Sequence, residues 1–164
     1  MTFKYPKPLT HDWSWIIPEF IMISHCVEGT GRVVVINLER GELLLESIRS
    51  GLEKLGIRDA VITSAIGSLS KVVLHRVMGF EPQPVDEFIT IEKPIELASL
   101  QGVVLDGHPH FHMAVSDLEQ AYTGHLEEGT TVLYLAEITL LELKNAGLKR
   151  APDELGIAKL RPKN

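Results

Sequence analysis

Short apolar, β-branched runs alternate with glycine and proline along most of this chain. Residues 20–27 and 32–38 are two such runs, with Gly29 and Gly31 between them, and the pair predicts a hairpin. After Gly41 the period changes. Leu44, Ile48, Leu52 and Leu55 recur at helical spacing as far as Gly56, which predicts a helix there. Residues 59–66 and 70–78 predict two further strands joined by a tight turn at Gly67 and Ser68. Residues 87–91 and 95–105 follow, and Pro94 predicts a strand break or an edge between them. Residues 110–116 predict a short strand closed by a polar turn over 117–120. Residues 131–143 predict a long strand, with Val132, Tyr134 and Ala136 on one face and Leu133, Leu135 and Glu137 on the other. Many strands and one clear helix specify an α+β class: a single compact domain whose mostly antiparallel sheet is flanked by a helix.

The ends differ from this middle. Residues 1–18 hold Pro6, Pro8 and Pro18 with Trp13 and Trp15. Prolines disfavour regular pairing and tryptophans are costly to leave in water. The segment predicts an N-terminal strap packed on the domain or on a neighbouring subunit, with a ligand lid as the alternative. The domain proper is expected over residues 19–143. Residues 144–164 form a basic tail of six lysines and arginines against two acidic residues, net +4, which leaves −10 on the rest of a chain whose total is −6. Such a tail docks on an acidic neighbour, is solvated, or serves as a nucleic-acid arm.

A length of 164 residues bounds the chain to one domain, and 45% hydrophobic with 23% charged residues excludes a disordered chain. The net acidity by itself attracts neither DNA nor an anionic membrane. Cys26 is the single cysteine, so no intramolecular disulfide forms; its apolar surroundings predict a buried small hydrophobe. No signal-type stretch opens the sequence, and no window approaches the ~20 apolar residues of a membrane helix. A soluble, cytoplasmic protein is expected.

Of seven histidines, four fall between positions 108 and 125. In Gly107-His108-Pro109-His110-Phe111-His112, a strand places His110 and His112 on one face and Phe111 on the other. Two imidazoles on one face begin a metal site. His125, thirteen residues after His112, can return beside it on an antiparallel strand. Three histidines leave a coordination position open, the pattern of catalytic rather than structural sites. His108 shares the parity and ranks fourth. Glu137, which interrupts an apolar strand, and then Glu96 are the candidate proton shuttles, with orientation of a histidine or simple solvation as their plainer roles. A Ser116–His125–Asp117 triad lacks any nucleophile-elbow pattern.

Residues 62–75 (ITSAIGSLSKVVLH) and 95–126, with Gly-x-Pro-His-x-His at 107–112 and Gly-His-Leu at 124–126, resemble the plants-and-prokaryotes-conserved (PPC) domain. Many members carry a further glycine where Thr123 stands. The resemblance implies a compact α+β domain with an antiparallel sheet, assembled as a homotrimer, and a metal held by His110, His112 and His125: zinc first, iron or manganese next. The architecture is also similar to that of acetolactate decarboxylase, which uses a three-histidine zinc. In plants the domain accompanies an AT-hook in nuclear DNA-binding regulators. This chain has Leu160-Arg161-Pro162-Lys163 without the Arg-Gly step of that hook. Three functions are therefore weighed: a metal-dependent enzyme on a small oxygen-rich molecule, a DNA-binding regulatory module, and a trimeric small-molecule sensor.

Overall fold

A computed structural model describes residues 23–163. The elements in chain order are β1 (Thr30–Glu39), α1 (Leu44–Lys54), β2 (Ala60–Val77), β3 (Asp86–Leu105), β4 (His108–Ser116), β5 (Ala121–Leu126), β6 (Thr131–Leu143), β7 (Leu148–Pro152) and β8 (Ala158–Pro162). The first six strands form one sheet in the order β1-β6-β2-β3-β4-β5, and β5 pairs again with β2. Strands β2, β3, β4 and β5 therefore close a ring. Every pairing in the sheet is antiparallel. Strand β2 serves both halves because it is 18 residues long: its first part pairs with β6, and Leu74 and His75 pair with Leu126 and His125 of β5.

The core lies inside this ring and under α1. Phe111, Met113, Val115, Leu74, Leu97 and Leu126 are buried in it, alternating with residues that face outward. The helix closes the core with Leu44, Leu45, Ile48 and Leu52, the stripe its spacing predicts. It ends at Leu55, and Gly56 takes the left-handed conformation, φ 67°, that a side chain would resist. Burying each large aliphatic of this stripe contributes about 1.5–3 kcal/mol.

Several expectations are corrected. Residues 20–22 of the expected hairpin over 20–27 and 32–38 lie outside the described residues; among those described it does not form, since 23–29 are irregular and β1 pairs with the distant β6. Cys26 lies in that irregular stretch and is exposed, not buried. No turn occurs at Gly67 and Ser68, because β2 runs through them. A Cβ on Gly67 would stand 2.7 Å from Ala136 Cα, so glycine there admits a close approach of β6 rather than a turn. Pro94 does not break β3, which is continuous for 20 residues. It sits where the β2–β3 register shifts and before β4 begins to pair at Glu96, so its missing N–H leaves no ladder position empty. Tyr134 does not share the buried face of Val132 and Ala136. The β2–β6 register also slips there, and the ring is turned outward.

The basic tail is folded. Strands β7 and β8 pair as a hairpin, and Leu148 is buried with Leu105 and Ala146. Lys163 lies 3.1 Å from Asp106 and 3.8 Å from Asp59, and Lys159 lies 2.6 Å from Asp153. Part of the tail's charge is thus met by carboxylates of this chain. The strap expected over residues 1–18 lies outside the described residues. Among the described residues, no helix is long and apolar enough to cross a membrane.

Candidate metal centre

The histidines are brought together by strand register. His125 of β5 is the cross-strand partner of His112 on one side and of His75 on the other. Directly opposed residues of an antiparallel pair project from the same face, so His75, His125 and His112 form a row across three strands. His110 joins it two residues along β4. Their neighbours Phe111, Met113, Leu74 and Leu126 point the other way into the core, which holds the row rigidly.

Gly124 makes the closure possible. A Cβ there would lie 2.7 Å from the carbonyl oxygen of His75 and 2.8 Å from a Leu74 methyl. The glycine of Gly-His-Leu is therefore a close-approach residue that lets β5 reach β2. Thr123, in place of the further glycine of many relatives, is an exposed residue of the same strand, paired with Ala114, and leaves β5 intact.

Nε2 of His110 and Nε2 of His112 are 3.3 Å apart. The ring of His125 lies 4.9 Å from that of His110 and 5.4 Å from that of His112, centroid to centroid. One nitrogen from each of the three lies within 4.8 Å of the others. Burial pushes the His110 imidazole down to about 4, helped by the positive charge of Arg150 and then by the other histidines. Burial also lowers His125, with the His75 charge next, while Glu127 opposes the change. Both rings are thus neutral near pH 7, the form that donates a lone pair to a metal.

Two further groups belong to the site. His75 stacks on His125, centroids 4.5 Å apart and planes at 21°. Its Nδ1 lies 2.6 Å from Oε1 of Glu127, and the same oxygen is 4.0 Å from Nε2 of His125. His75, His125 and Glu127 also place ligand atoms within 4.8 Å of one another. The signal for both was present in the sequence: His75 ends the first segment of family resemblance, and Glu127 follows His125 at strand parity.

The structure does not bring the two candidate shuttles to the histidines. Glu137 is exposed and pairs with Asn37 and Ile66. Ile66 is nine residues from His75 on β2, about 30 Å along the strand. Glu96 is exposed beside Ser116, four residues or about 13 Å from His112 along β4. His108 is exposed at the mouth of the β3–β4 turn and joins neither group of ligand atoms. Nor does the Ser116 triad assemble: Ser116 faces Ala121, and Asp117 is taken by Lys93 and Tyr122.

The fold and the cluster define a small, sheet-closed α+β domain carrying a preformed set of imidazole donors. The chain belongs to the Plants and Prokaryotes Conserved (PCC) domain family, whose model matches residues 27–144. It is similar to a PPC protein of Pyrococcus horikoshii, at 32% identity over 84% of this chain and 95% of that one, with a TM-score of 0.71. It is similar to a protein of Archaeoglobus fulgidus described as metal-containing, at 28% identity over 84% and 98%, TM-score 0.70. A protein of Bacteroides thetaiotaomicron provisionally described as DNA-binding shares the fold, at 17% identity over 85% and 99%, TM-score 0.68. No curated protein matches.

Proposed function

We propose that this protein binds one divalent metal ion per chain through His110, His112 and His125, and that the ion serves chemistry on a small oxygen-rich molecule. The observation that carries this is the 3.3 Å between Nε2 of His110 and Nε2 of His112. Two nitrogens held at 2.0–2.1 Å from one tetrahedral ion are about 3.3–3.4 Å apart. Zinc suits three neutral imidazoles best, with iron or manganese as alternatives. Bound there, the ion would act as a Lewis acid or lower the pKa of water. On this reading Glu127, whose Oε1 lies 4.0 Å from Nε2 of His125, is the proton shuttle in place of Glu137 and Glu96. The metal-containing relative supports the reading.

The test is elemental analysis of tag-free protein purified without added metal or chelator. About one zinc, iron or manganese per chain is the expected result for a single three-histidine site. No metal, and none taken up on titration, overturns it.

The same proposal includes a homotrimer. Val33 and Val35 of β1 are 66% and 69% exposed, and Tyr134, Leu135 and Ile66 add apolar surface on neighbouring strands. Apolar surface of this kind favours a partner.

A further inference from the structure

The C-terminal hairpin brings one cation to the histidines. Leu148 and Arg150 share a face of β7, since alternate residues of a strand point the same way. Leu148 packs on Leu105 and Val103, which lie opposite His108 and His110 across the β3–β4 ladder. The hairpin therefore packs on the sheet face that bears His108 and His110, and Arg150, two residues along β7 from Leu148, extends over that face.

Arg150 is set apart from the other arginines by a buried nitrogen without a hydrogen-bond partner, not by lacking an ion pair, since Arg40 and Arg161 also lack one among the described residues. Arg32, Arg49, Arg58 and Arg76 each pair with a carboxylate. Arg150 has no ion pair among the described residues; one of its terminal nitrogens donates to the carbonyl of Ala158 at 3.3 Å, and its Nε is buried with no hydrogen-bond partner. A buried donor left unmade is costly, and more so when it is charged. Such a group persists where a ligand completes it.

We infer that Arg150 receives the carboxylate of a small acid whose adjacent oxygen reaches the three-histidine centre. The planar guanidinium matches a carboxylate through two parallel hydrogen bonds. A three-histidine ion keeps a position open for an oxygen donor. The carboxylates around His75, Glu127 at 2.6 Å and Asp86 at 3.9 Å, oppose a second negative charge, so a monoanion fits better than a phosphate. The substrate class is then a 2-hydroxy or 2-oxo monocarboxylic acid. This rests on the metal-binding reading above.

The experiment is calorimetric titration of the zinc-loaded full chain with glycolate and with its uncharged analogue glycolamide. The unmodified protein is expected to bind glycolate and to bind glycolamide at least about tenfold more weakly, the scale of one charge-assisted hydrogen bond. Arg150→Met keeps the aliphatic stem and is expected to lose glycolate by a similar factor while retaining one zinc per chain. Arg150→Lys, which keeps the charge but not the fork, should fall between the two and decides the matter if the Met variant does not fold. Equal affinity for glycolate in these variants, or equal affinity of the unmodified protein for both probes, overturns the role of Arg150 while zinc content still stands. Failure of the unmodified protein to hold zinc overturns the metal reading and this inference together.

Discussion

The two ends of β2 show how differently one strand can be used. Near Ile66 it lies between β6 and β3, and the outward side carries Ile66 beside Glu137, with Val33, Val35 and Tyr134 exposed on the strands around it. Near His75 it lies between β3 and β5, and the outward side carries a row of imidazoles. Both surfaces stand on the same packed core. The first is mostly apolar, with Glu137 among its aliphatic and aromatic side chains; the second is polar, crowded and held by the β2–β5 closure. Exposure alone does not distinguish an assembly surface from a reactive one. The distinction lies in whether the exposed groups are matched to each other or left for something else to match.

The sharpest way to break the contrast is at the histidines. His112→Ala removes one of three donors, and bound metal is expected to fall from about one per chain to less than about a tenth, read by elemental analysis after gel filtration. Unchanged metal content would place the ion elsewhere. At the apolar end, if the proposed homotrimer is held through β1, Val35→Glu is expected to shift the mass measured by light scattering from three chains to one, because a charge buried without a partner costs several kcal/mol. A trimer that survives the change moves the interface to another face. Metal content in that variant sharpens the comparison further: retention keeps the centre within one chain, and loss makes it depend on the neighbour.

A smaller effect is expected at the closure. Gly124→Ala forces a methyl against the His75 carbonyl and should cost about 1–3 kcal/mol by denaturant titration. Metal affinity should fall as well, since His125 moves with β5. A silent variant would mean that β5 is free to step back from β2.

The smallest effect is in pH. In the metal-free protein His110 stays neutral down to about 4, whereas the unfolded chain takes up that proton near 6.5. Between those values the unfolded state binds more protons, so stability falls as pH drops from 6.5 toward 4. Melting temperatures across this window should show that slope, and His110→Gln should flatten it. An identical slope in the variant would assign the proton to another group.

Much of this was legible from the order of residues. The helix over Leu44–Lys54 and the strand Thr131–Leu143 announce themselves by period, because helical and extended side-chain repeats are local properties. The same alternation places His110 and His112 on one face. The polar turn over 117–120 brings His125 back in antiparallel fashion, as its spacing suggests. The family motifs point to the same three residues and survive intact here.

What local reasoning misjudged has one physical source. Gly67, Pro94 and Tyr134 look like a turn, a break and a core residue, and each instead sits where two strands slip in register. A bulge depends on the partner strand, which is remote in sequence. The same holds for the site. Glu137 interrupts an apolar run because it belongs to the exposed face near Ile66, and Glu96 sits on β3 opposite Ser116, displaced from the histidines along the strand direction. His75, Glu127 and Arg150 come from β2, the end of β5 and the tail hairpin. Alternation and motif determined that His110 and His112 share a face and that His125 returns beside them. Register, ring closure and the packing of Leu148 decided which of them meet, because those depend on contacts between segments that no local pattern encodes.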